Sequence, residues 1–277
     1  MRIYILLFIL CVILSCIRIF MNGHIHLKSI PVLKSIPVLK SIPVYCLMIT
    51  GYDNRRRPFS EVSVNNFFEQ TYKNKYLIIL NQSKVRLIDC DHDNVLEVFI
   101  EKDTLGKLRN LSLEFVPPHA IWTTWDDDDY RSESYLSTCM RYMHNSYVDF
   151  LMFENRLEHN FINGHSFRVK LKSGTSVFFC KKTAYVQYDN NKGTMEDVVV
   201  KKTALSKYKC ITINNDPTMY LRFIHSNNTS VYVDSERYTI RNTINNKDFF
   251  EYVLSKNEEK YIDKILSKYY KNNVSCL

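Results

Sequence analysis

The hexapeptide Leu-Lys-Ser-Ile-Pro-Val occurs three times without change, at residues 27–32, 33–38 and 39–44. It constrains the fold of this chain more than any other stretch. A proline at every sixth position removes a backbone donor and blocks a helix. The residue before each proline is driven toward extended geometry. Residues 21–46 are therefore expected to form an extended spacer, with a short segment before it and all core-forming sequence after it.

The segment before it, residues 1–20, starts with Arg2 and continues as an apolar run from Ile3 to Ile17. This is the pattern of a secretory signal peptide, short for a helix crossing about 30 Å of hydrocarbon. Ser15 and Cys16 are small, but Ile13 or Leu14 sits two residues before them and makes cleavage poor. An uncleaved signal anchor is the alternative.

Cysteines and sequons agree with export. Of eight cysteines, Cys11 and Cys16 lie in the signal segment. Cys46, Cys90, Cys139, Cys180, Cys210 and Cys276 are even in number and contain no CxxC pair, so up to three disulfides are expected. Asn81, Asn110, Asn227, Asn228 and Asn273 head Asn-x-Ser/Thr sequons and are glycosylation candidates.

After the spacer, residues 60–73 read as a helix, with Val64, Phe67, Phe68 and Tyr72 on one face. Strands are expected at 75–80, 84–89, 95–101 and 108–115. Residues 132–161 read as one or two helices. Strands follow at 167–172, 175–180, 184–188, 197–201, 208–213, 220–225, 230–233 and 237–241. Helices close the chain at 247–254 and 256–271, where Ser255 and Glu258 have capping-box spacing.

Residues 97–113 align without a gap to 197–213 and share Val98/Val198, Lys102/Lys202, Leu105/Leu205 and Lys107/Lys207. Two hairpins of similar pattern would look the same. With apolar residues at 45% of the chain, enough for a packed core, the expected fold is α+β. It comprises two tandem β-rich units with associated helices, 47–131 and 132–277.

The most unusual composition lies between Pro117 and Tyr130, where His119, Trp122, Trp125 and four consecutive aspartates, Asp126, Asp127, Asp128 and Asp129, fall together. Calcium needs several oxygen ligands, but adjacent carboxylates of a strand point to opposite faces. A solvated acidic loop is the expectation. Trp122 and Trp125 are read as binding anchors or core rings, and Arg55, Arg56 and Arg57 as a basic surface patch. Asp91, His92 and Asp93 are turn formers or weak metal ligands. No HExxH, Walker loop, nucleophile elbow or dinucleotide fingerprint occurs.

The net charge of +8 is scattered rather than striped, which disfavours nucleic acid as a partner. Rich use of Ile, Asn, Lys and Tyr with six glycines indicates an AT-rich genome. In composition the chain resembles exported effector or surface proteins of AT-rich parasites or large DNA viruses. The function expected is thus a secreted, non-enzymatic protein that binds a protein or glycan of a host or partner, without cofactor or metal. A secreted metal-dependent hydrolase and a membrane-tethered structural protein are the alternatives, the membrane entering only if the first segment is retained.

Overall fold

The computed structural model describes residues 41–89, 92–171, 178–193, 195–226, 228 and 249–271. The signal segment, the repeat to residue 40, Cys90, Cys276, Asn227, Asn273 and the strands expected at 230–233 and 237–241 lie outside the described residues. The chain divides into two units, 1–41 and 42–277, and the strands and helices of the described residues all belong to the second.

The first strand, β1 (Val44–Ile49), takes over the last residues assigned to the spacer. Its side chains alternate between two apolar layers, Cys46 and Met48 on one side, Leu47 and Ile49 on the other. Both faces are covered, so the strand reads as a continuous apolar run rather than an alternating one. After a 3-10 turn (Asn54–Arg56), α1 (Arg57–Glu69) leads to β2 (Lys75–Asn81) and β3 (Val95–Phe99). Then come α2 (Leu105–Glu114), β4 (Ile121–Thr124) and β5 (Tyr130–Arg131). The chain continues through α3 (Tyr135–Ser146), β6 (Phe150–Phe153), β7 (Asn155–Asn160), β8 (Ser166–Leu171) and β9 (Phe178–Lys181). It ends with α4 (Asp197–Lys207), β10 (Cys210–Ile213), β11 (Tyr220–Ile224), β12 (Phe249–Tyr252) and α5 (Lys256–Lys271).

Seven strands form one sheet in the order β10-β6-β9-β4-β1-β2-β3. β1 is parallel to both β2 and β4, and β2 to β3. β9 runs antiparallel between β4 and β6. A second sheet has the order β12-β8-β7-β11-β5. In the large sheet the strand order turns back at β1, where β2 lies on one side and β4 on the other. Ligands of open α/β sheets bind outside the carboxyl ends of the strands at such a switch point.

Helices cover both faces of the large sheet. On one face α3 buries Leu136, Cys139, Met140 and Met143 with Val64 and Phe67 of α1. On the other, Leu108 and Leu113 of α2 pack with Val200 and Ala204 of α4. The opposite side of α1 presents Phe59 and Val62 to Leu157, Leu221 and Phe223 of the second sheet, closed by Ile262, Ile265 and Tyr269 of α5. Among the described residues no helix is long and apolar enough to cross a membrane.

The α+β class stands, but tandem units do not form, because β6, β9 and β10 from after residue 132 complete the sheet begun by β1–β4. Residues 108–115, expected as a strand, lie largely in α2. Thr104 caps that helix by accepting from Lys107 N at 3.5 Å, and its buried Leu108, Arg109, Ser112 and Leu113 follow helical spacing. Residues 197–201 likewise open α4. The aligned 97–113 and 197–213 therefore run strand-then-helix and helix-then-strand, so their likeness is one of local pattern only. Residues 150–160 are two strands rather than helix, 249–252 is a strand rather than helix, and 84–89 and 184–188 are irregular.

Candidate functional site

The large sheet hands the chain to the small one between β4 and β5, and the four aspartates are that crossing. β4 is wholly buried, and Trp125 N after it donates to Leu47 O of β1 at 2.9 Å. This fixes the acidic run beside the carboxyl end of β1. The expected solvated loop is instead interior: Asp127, Asp128 and Asp129 are buried. Buried charge persists only when paired and hydrogen-bonded, and each aspartate has its own partners.

Asp126 Oδ1 accepts from Arg109 Nη2 of α2 at 2.5 Å. Asp127 pairs with Arg56 and accepts from Gly51 N and Ser60 Oγ, each at 3.1 Å. Asp128 Oδ2 meets Arg56 Nη2 at 2.7 Å, His225 Nε2 at 3.2 Å and Asn228 Nδ2 at 3.0 Å. Asp129 accepts from the Tyr220 hydroxyl and, at 3.1 Å, from Phe223 N.

These surroundings separate the carboxyl groups chemically. Burial would raise Asp128, but the charge of Arg56 and the hydrogen bond with His225 outweigh it and hold this carboxyl below the ordinary range. Asp127 is raised by burial, against the pull of Arg56. Asp129 is pushed up to about 7 by burial and by the neighbouring charges of Asp128 and Asp126. Groups whose environments push them apart in this way cluster at functional sites.

The amino end of α4 reaches the same cluster. Glu196 Oε1 lies 3.9 Å from Arg109 Nε, so Arg109 stands between Asp126 and Glu196. Met195, just before, has φ of 61°, a left-handed conformation uncommon for a side-chain-bearing residue and one that marks a constrained segment. Asp197 follows on the first turn, half-buried.

Of the residues singled out from sequence, Arg56 joins the site. Arg55 is exposed and pairs with Asp53, and Arg57 pairs with Glu61. Trp122 and Trp125 are 1% and 0% exposed, so neither is a docking anchor. Trp125 instead stacks under the fully buried Arg131 guanidinium, 4.4 Å from its ring centre, and its Nε1 donates to Ser63 O at 3.2 Å. Cys46, Cys139, Cys180 and Cys210 are free thiols, three of them buried, which removes the expected disulfides among them. Asn81 is buried with its amide bonded to Val85 O and Glu97. Asn110 bonds Tyr188 and Asn190, and Asn228 bonds Asp128, so none of these three presents a free amide for a glycan.

His225, Arg109, Glu196 and Tyr220 were not singled out from sequence. Acidic residues directly after a buried four-residue strand are the local sign of such a site, but no strand was expected at 121–124.

No family model and no curated protein matches this chain. Solved structures do. TarS 1-349 of S. aureus in complex with UDP-GlcNAc is 12% identical with a TM-score of 0.52, over 71% of this chain and 63% of that one. The mannosyltransferase PcManGT from Pyrobaculum calidifontis, in complex with GDP-Man and Mn2+, is 14% identical with a TM-score of 0.51, over 74% of this chain and 61% of that one. The chain thus spans less than two thirds of either structure, and at these identities the likeness is one of fold. Those neighbours carry sugar nucleotides, and the two tryptophans are interior. Together these findings overturn the expectation of a glycosylated, non-enzymatic binder acting in host–pathogen contact.

Proposed function

We propose that residues 42–277 form a glycosyltransferase that takes its sugar from a nucleoside diphosphate carrier. The observation that carries this reading is the run of four aspartates at the carboxyl end of β4, three of them buried, beside the switch point of the sheet. It lies in a fold shared with structures that hold UDP-GlcNAc and GDP-Man.

A divalent ion such as the Mn2+ of PcManGT fits the donors present. Carboxylate suits Mn2+ and Mg2+, and neutral imidazole is a common metal ligand in general. Asp128 Oδ2 and His225 Nε2 are 3.2 Å apart, near the spacing of two ligands each about 2.1 Å from one ion. Among the described residues no group of three His, Cys, Asp or Glu is placed to hold an ion. An ion shared with substrate phosphates needs only one or two protein ligands. When bound, its chemistry is neutralisation of charge on the departing diphosphate.

The chain's own residues supply the rest. Arg109 holds Asp126 and Glu196 in place. Asp197 is the half-exposed carboxylate next to that cluster, suited to accept the proton of an acceptor hydroxyl as its oxygen attacks the sugar's anomeric carbon. The bond from that carbon to the diphosphate breaks, and the nucleoside diphosphate leaves with the electron pair.

The test is to titrate the full-length chain with UDP and GDP in the presence of Mn2+, then to follow nucleotide release from UDP-GlcNAc and GDP-Man. Saturable binding and release, both lost in Asp128→Asn, are expected. A folded chain that binds neither nucleotide would overturn the reading.

A further inference from the structure

The pair Asp127–Asp128 already has a cation, and it belongs to the protein. Arg56 ends the 3-10 turn before α1, and its guanidinium contacts both carboxylates through Nη2. Its side chain is 11% exposed. On Asp128 the same oxygen, Oδ2, serves Arg56 and His225. The atom best placed to hold a divalent ion with His225 is therefore the atom Arg56 occupies.

The backbone is shaped for this arrangement. A Cβ on Gly51 would lie 2.7 Å from Arg56 Cδ, so a larger residue there would push aside the arginine stem on its way to the aspartates. Gly51 N itself donates to Asp127 at 3.1 Å. A planar guanidinium binds carboxylate and phosphate by the same forked geometry. It can therefore exchange one for the other without changing its chemistry.

We propose that Arg56 is an internal counter-cation that exchanges partners, guarding Asp127 and Asp128 in the ion-free protein and passing to the donor's diphosphate when ion and nucleotide enter. This rests on the glycosyltransferase reading. Ion and guanidinium compete for Asp128, and the diphosphate relieves the competition by accepting the arginine. Binding of ion and nucleotide is thereby coupled, and by linkage each strengthens the other equally.

Mn2+ affinity of the full-length chain, read by electron paramagnetic resonance with and without UDP or GDP, tests this without any turnover. In the unaltered protein, nucleotide should strengthen Mn2+ binding by about tenfold or more. In Arg56→Gln, Mn2+ alone should bind about tenfold more tightly than in the unaltered chain, and the gain from nucleotide should shrink. Gly51→Ala, which pushes the stem aside and keeps the charge, should move both quantities the same way and serves if Arg56→Gln fails to fold. Equal or weaker Mn2+ binding in the folded variants would overturn the exchange and leave the glycosyltransferase reading standing. Nucleotide binding with no Mn2+ binding in any form would overturn both the ion site and the exchange.

Discussion

The hydroxyl of Tyr220 donates to the carboxyl group of Asp129, joining the first residue of β11 to the last of the four aspartates across 91 positions of sequence. The Asp129 carboxyl is pushed up to about 7 from its ordinary 3.8, chiefly by burial. The folded protein thus keeps a proton that the unfolded chain releases. Stability from this group is complete below about pH 4 and declines as the pH rises to about 7. Asp128, held low, acts in the opposite sense but only below its ordinary range, so the two windows do not overlap. The urea midpoint should fall between pH 5 and pH 7.5, and Asp129→Asn, which mimics the protonated form, should flatten that decline. An unchanged slope in the variant would refute the assignment.

Trp122 packs in the layer formed by α2 and α4, and Trp125 in the layer of α1 and α3. Replacing either with alanine should cost about 3–5 kcal/mol, measured by chemical denaturation. A docking anchor would behave differently, losing partner binding with stability nearly intact.

Asp197→Asn should leave Mn2+ and nucleotide binding unchanged while lowering kcat by roughly 10²–10⁴, the usual contribution of a general base. A parallel loss of nucleotide affinity would show instead that the carboxylate serves the α4 terminus.

Burial raises the thiols of Cys46, Cys139 and Cys180 well above the ordinary range. Cys210 is the most accessible of the four described, and its thiol is raised as well. A thiol reagent should label Cys210 first and the other three only as the protein unfolds, with the labelled positions read by peptide mass. Protection of all four after denaturation without reductant would restore the disulfide expectation.

Several elements were legible because their determinants are local. Ser255 and Glu258 form the capping box their spacing indicates, with Ser255 N to Glu258 Oε2 at 2.7 Å and Glu258 N to Ser255 Oγ at 3.3 Å. Helix α1, strands β2, β8 and β11, and the apolar stripe of α5 follow their periodicity. The period failed where both faces are covered, as in β1, and where a short leucine-rich stretch suits either structure, as in α2. It also failed at β6 and β7, where Phe150, Leu151, Phe153 and Leu157 recur at helical spacing.

Sequence alone thus determined the proline-bound spacer expectation, the α+β class, the ends of the last helix and the presence of an unusual acidic run. Only the tertiary structure decided what that run is. Four adjacent aspartates are a solvated loop unless counter-charges reach them. Here the partners come from Arg56, Arg109, Tyr220 and His225, up to 97 residues away. No local pattern encodes such pairing, because a buried carboxylate is made tolerable by the residues the fold brings to it rather than by its neighbours in the chain.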